Sequence, residues 1–108
     1  MSLSTHVLDA MTGRPAAGVA VRLEEHVGGE WRTIAEGSTD ADGRIGALGD
    51  PGTGTHRLHF DTGAYFGAAG VATFYPEVSV TFTVIDAGTH HHVPLLLSPF
   101  AFSTYRGS

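Results

Sequence analysis

Apolar and polar residues alternate along most of this chain with the two-residue period of a β-strand. Glu77 to Ile85 shows it most cleanly: Val78, Val80, Phe82 and Val84 fall on one side, Ser79, Thr81 and Thr83 on the other. Gly18 to Val27 opposes Val19, Val21 and Leu23 to Ala20, Arg22 and Glu24, and Thr55 to Asp61 sets Leu58 and Phe60 against Arg57 and His59. Such alternation marks strands with one face to a core and one to water. Thr5–Ala10, Glu30–Ser38, Arg44–Ala47, His90–Leu97 and Phe100–Arg106 bring the predicted set to eight short strands. Turn residues punctuate them: Thr12-Gly13-Arg14-Pro15, the hairpin pair Gly28-Gly29, Asp40-Ala41-Asp42-Gly43, the break from Gly49 to Gly54, Asp86-Ala87-Gly88 and Pro99. Only Thr62–Gly70 leaves the period. Its small residues, two aromatics and a Thr62 cap predict one short helix ending at Gly70. The sum is an all-β fold, a sandwich or small barrel.

Composition sets the limits of this picture. A chain of 108 residues without internal repeats or a linker reads as one domain, residues 1–108. A chain of this size buries roughly two-thirds of its unfolded surface. Apolar content of 42% and charged content of 16% are those of a globular protein. A formal charge of −5 with only six Lys and Arg argues against a nucleic-acid partner, which calls for a basic footprint. The absence of cysteine removes disulfides, thiolate zinc sites and cysteine nucleophiles together. No apolar run approaches the ~18 residues of a membrane helix and no signal-peptide pattern opens the chain, so the expectation is a soluble cytoplasmic protein with no membrane partner. Phosphate-binding glycine fingerprints and the G-x-S-x-G elbow are missing, which leaves nucleotide-binding and serine-hydrolase readings unsupported.

The residues that could carry chemistry are mostly histidines. His90, His91 and His92 are consecutive; on a strand, His90 and His92 share a face and His91 points away. That pair fits a solvated or structural role, a two-ligand metal arrangement with a third donor among His6, His26, His56 and His59, or acid–base chemistry near neutral pH. Spacing alone does not choose. His6 shares a strand face with Leu8, and Arg44 follows the Asp42-Gly43 turn. Asp40 and Asp42 spell Asp-x-Asp-Gly but lack the further ligands and the bidentate Glu of an EF-hand. The chain closes on Tyr105-Arg106-Gly107-Ser108, an aromatic, a cation, a glycine and a hydroxyl, and this ending suggests a terminus folded inward and used.

Three blocks, in order along nearly the whole chain, carry a resemblance. They are Ser4-Thr5-His6-Val7-Leu8-Asp9 with Thr12-Gly13-Arg14-Pro15-Ala16, then Thr39-Asp40-Ala41-Asp42-Gly43-Arg44, then His90 to Pro94 running to Tyr105-Arg106-Gly107-Ser108. Together they resemble the 5-hydroxyisourate hydrolases, transthyretin-like enzymes of purine degradation. The terminal Tyr-Arg-Gly-Ser is the specific part, because it separates the hydrolases from the hormone-carrying transthyretins on the same fold. The resemblance implies a transthyretin-like sandwich of two four-stranded sheets with one short helix, assembled as a homotetramer with active sites in a channel between dimers. It implies hydrolysis of the small molecule 5-hydroxyisourate to 2-oxo-4-hydroxy-4-carboxy-5-ureidoimidazoline, with no metal and no organic cofactor. By position it assigns catalysis to His6, Arg44, His92 and Ser108, and substrate binding to His6, Arg44, Tyr105 and Arg106. His90 and Gly107 would support them. A tyrosine is usual where His91 stands; on the face opposite His92, the change would touch subunit packing or surface charge. Two other classes remain: a non-catalytic transthyretin-like carrier of a small aromatic ligand, and a monomeric structural sandwich domain with exposed strand edges or calcium loops.

Overall fold

The computed structural model describes residues 2–108. The alternating segments form two β-sheets packed face to face. The first holds β1 (Leu3–Asp9), β2 (Arg14–Pro15), β5 (Arg44–Ile45), β8 (His91–Ser98) and β9 (Ala101–Thr104); the second holds β3 (Ala20–Val27), β4 (Glu30–Ser38), β6 (Gly54–Phe60) and β7 (Val78–Val84). The second sheet runs β4-β3-β6-β7, antiparallel throughout. The first runs β2-β1-β8-β9, and β5 adds a second short partner to β1. The two-residue β2, read from sequence as part of a turn, is the strand that alternation cannot reveal, since two residues have no period. It makes this sheet five-stranded where four were expected.

Inner-face residues meet between the sheets: Leu3, Val7, Leu95 and Leu97 from one, Leu23, Leu58, Phe60 and Val84 from the other, all with no exposed surface. Each such side chain contributes about 1.5–3 kcal/mol relative to staying in water. The helix, α1 (Thr62–Ala68), closes one part of the core with Phe66. Its cap is Asp61, whose side chain accepts from the Ala64 N–H; the expected cap, Thr62, is instead buried and donates to the Tyr75 carbonyl at 2.8 Å. Asp9, only 3% exposed, accepts from the Met11 and Thr12 N–H groups and from the Tyr65 hydroxyl, tying α1 to the end of β1. Burial and this bond push the Tyr65 phenol up to about 12. Among the described residues no helix is long and apolar enough to cross a membrane.

One pairing decides where the site lies. β1 and β8 are parallel neighbours, with Ser4 beside His92 and His6 beside Pro94. The outer faces of these two strands therefore bring residues from both ends of the sequence together.

Candidate functional site

The site is assembled from three backbone devices. The first is the β1–β8 register. Because side chains alternate, Ser4, His6 and Leu8 share the outer face of β1 with His92 and Pro94 of β8, while Thr5 turns inward and donates to the Val93 carbonyl at 2.7 Å.

The second device is the turn before β5. Asp40 Oδ1 accepts from the N–H groups of Asp42 and Arg44, each at 2.9 Å, and the Asp40 and Gly43 N–H groups close the turn on Arg44 and Asp40 carbonyls. Gly43 sits at φ +75°, in the left-handed region, and a Cβ there would collide with the Val7 carbonyl. Its own carbonyl accepts from Val7 N–H at 2.7 Å. The turn is thus docked flat on β1, and Arg44 emerges opposite His6 in the ladder. Asp40 is committed to backbone donors in place of a cation.

The third device is the tail. Gly107 forms an isolated bridge with His92, its N–H donating to the His92 carbonyl at 2.8 Å. A Cβ at position 107 would overlap the His92 ring at Cδ2, so only glycine brings the tail this close. Ser108 then reaches a cavity of about 250 Å³ whose wall includes Ser4, Thr5, Arg44 and His92.

Electrostatics follow from this gathering. Burial holds His92 below the usual histidine range, and the positive charges of His6, His90 and Arg44 act in the same direction; a backbone hydrogen bond at Ser4 opposes them. Among the described residues no Asp or Glu side chain lines the cavity. His92 is therefore a neutral imidazole at pH 7 beside the Arg44 guanidinium, an arrangement that can accept a proton from water and stabilise a developing oxyanion. His6 donates Nε2–H to the Asp42 carbonyl at 2.9 Å, which leaves Nδ1 as its acceptor nitrogen.

Arg44, His92 and Ser108 share the cavity wall; His6 lies beside it, across the ladder from Arg44. His90 is linked to His92 through Ser4, whose Oγ lies 2.8 Å from His90 Nε2 and 2.7 Å from His92 Nδ1. Tyr105 and Arg106 do not enter this cavity. They border a second, apolar cleft of about 230 Å³ with Val80, Phe82 and His91, on the other side of His92, and Tyr105 is 59% exposed. His91 is 7% exposed and donates from Nδ1 to the Thr89 carbonyl. Alternation along β8 turns it into the sandwich, so it contributes nothing to surface charge. Among the described residues no group of three or more His, Asp or Glu side chains is placed to hold a metal ion.

Sequence reasoning overlooked Ser4 as a member of the site. Its signal was the period itself: two residues before His6, it had to share that histidine's face.

Comparison with known proteins agrees with this architecture. The chain is 47% identical over 109 residues to the 5-hydroxyisourate hydrolase of Salmonella typhimurium, covering 98% of this chain and 80% of that one. The structure of Klebsiella pneumoniae 5-hydroxyisourate hydrolase, 39% identical, superposes with a TM-score of 0.87 and full coverage of both chains. Sea bream transthyretin in complex with thyroxine, 36% identical, superposes at 0.93 over 99% of this chain and 95% of that one. The model of the HIUase/Transthyretin family matches residues 3–107, and the chain belongs to that family.

Proposed function

We propose that this chain is a 5-hydroxyisourate hydrolase, opening a ring carbon–nitrogen bond of 5-hydroxyisourate to give 2-oxo-4-hydroxy-4-carboxy-5-ureidoimidazoline. One observation carries the reading: an imidazole held neutral, a guanidinium and a hydroxyl, from His92, Arg44 and Ser108, line one small cavity. The relatives that bear this enzyme's name supply the substrate.

His92 takes a proton from a water molecule as the water oxygen attacks the ring carbonyl carbon. Arg44 faces the carbonyl oxygen and holds the charge that develops there. The carbon–nitrogen bond then breaks, the ring nitrogen receives the proton back from His92, and a carboxyl group is left on the carbon. His6 presents Nδ1 to the water, and the Ser108 hydroxyl fixes its position. Tyr105 and Arg106 line a different cleft within their own chain, so they reach substrate from a neighbouring subunit of a homotetramer. This reaction uses water and protein groups alone, and the proposed setting is the cytoplasm.

The test is an ultraviolet assay of freshly generated 5-hydroxyisourate on metal-stripped protein. Decay well above the spontaneous rate, lost in His92→Ala, is the expected result. Decay at the spontaneous rate overturns the proposal. The likeness to a thyroxine-binding transthyretin favours a second reading, a carrier of small aromatic ligands, which predicts saturable binding of such a ligand with no turnover.

A further inference from the structure

The hydroxyl of Ser4 stands between two imidazoles, 2.7 Å from His92 Nδ1 and 2.8 Å from His90 Nε2. A hydroxyl has one proton to donate and two lone pairs, so it donates to one ring and accepts from the other, or accepts from both. The two polarities of its bond to His92 have opposite chemical consequences. If Ser4 donates to His92, that ring carries its proton on Nε2 and has no lone pair left to take one from water. If Ser4 donates to His90, His92 donates Nδ1–H to Ser4 and Nε2 carries the lone pair.

The surroundings of His92 leave Ser4 as the group that decides. Arg44 from β5 acts on it as a standing positive charge, and His6 from β1 and His90 ahead of β8 act in the same sense only in their protonated forms. Gly107 packs against the Cδ2 edge of the ring, with no side chain to bond to it. A half-turn of the ring would carry Nδ1 away from Ser4 and put a carbon in its place. We infer that Ser4 is a positioning residue: it accepts Nδ1–H from His92, donates its own proton to His90 Nε2, and so fixes the His92 tautomer whose Nε2 can act as base. The inference deepens the hydrolase reading and rests on it for the role of Nε2. Its structural content, the tautomer, is measurable without substrate. His90 thereby acquires a definite part, the acceptor that orients the serine hydroxyl, while remaining outside the cavity wall.

The experiment uses the full chain labelled with ¹⁵N-histidine. Long-range ¹H–¹⁵N correlation at pH 8 reads the protonation of each His92 nitrogen in the wild type, Ser4→Ala, Ser4→Thr and His90→Leu, alongside kcat, KM and thermal unfolding. Wild type and Ser4→Thr should show Nδ1 protonated and Nε2 bare. Ser4→Ala should lose that preference and lower kcat on the order of 10²-fold, the lower end of what a positioned acid–base group contributes, since part of the population keeps the competent tautomer. KM and Tm should move little, and His90→Leu should weaken the preference in the same sense. An Nε2–H tautomer in the wild type, or a tautomer unchanged in Ser4→Ala, overturns the inference. The expected tautomers in a protein without turnover would overturn the hydrolase reading and leave the positioning geometry standing.

Discussion

Gly107 lies directly against His92: its N–H donates to the His92 carbonyl at 2.8 Å, and the space where its side chain would stand is filled by the imidazole ring. The tail and the ring are therefore one unit. Anything that moves one displaces the other, and the ring is already held on its other side by Ser4.

Gly107→Ala tests that unit. The added methyl must push the ring off Ser4 or lift the tail from β8. The expected outcome is a loss of kcat of at least tenfold with a nearly unchanged melting temperature, because the core does not include position 107. A steady-state assay paired with thermal unfolding checks both halves.

Removing the base itself should cost more. His92→Ala is expected to lower kcat by ~10²–10⁴-fold, the usual contribution of a positioned acid–base group. Arg44→Lys keeps the charge but loses the planar fork, so it should recover only part of the activity that Arg44→Ala loses. Kinetics on the three variants decide this.

The pH dependence has a definite sign. Folded His92 titrates below its ordinary value of 6.5, so it is neutral at pH 7 and competent as a base. The acid limb of kcat/KM should fall below pH 6.5. For stability, the unfolded chain takes up this proton first as pH drops, so the folded state loses ground through 6.5 and downward until His92 itself is protonated. Chemical denaturation of wild type and His92→Gln between pH 8 and pH 5 should show the wild type losing stability relative to the variant.

Tyr65→Phe isolates the tie between α1 and β1. It strips Asp9, a buried carboxylate, of its hydroxyl donor and should destabilise the protein by about 1.5–3 kcal/mol, the range for a hydrogen bond to a charged group. Urea unfolding at pH 7 measures it, and turnover of the folded variant should stay near wild type.

Much of the fold was legible in the sequence, and the reasons differ by element. Val78, Val80, Phe82 and Val84 declare β7 because each inward position is filled by a branched or aromatic apolar residue. Asp61 was harder: Asp and Thr both cap helices, and the choice fell on whichever hydroxyl or carboxylate had no better use elsewhere, which the Thr62–Tyr75 bond decides. The parallel pairing of β1 with β8 was invisible, since no feature of one strand names a partner that far along the chain. Of the site, histidines and the arginine stood out by residue type. Ser4 did not, because an outward serine on a strand is ordinary until its neighbours across the ladder are known.

The same pairing shapes how the molecule comes into being. Ser4 must find a neighbour 88 residues away, so the ladder that holds the site closes a loop spanning most of the chain. The β3–β4 hairpin of the second sheet can zip locally and early, whereas β1 waits with its edge unsatisfied for β8 to arrive. On a ribosome, the chemistry becomes available only once β8 and Ser108 have emerged, so competence to react is acquired after the second sheet can already have formed.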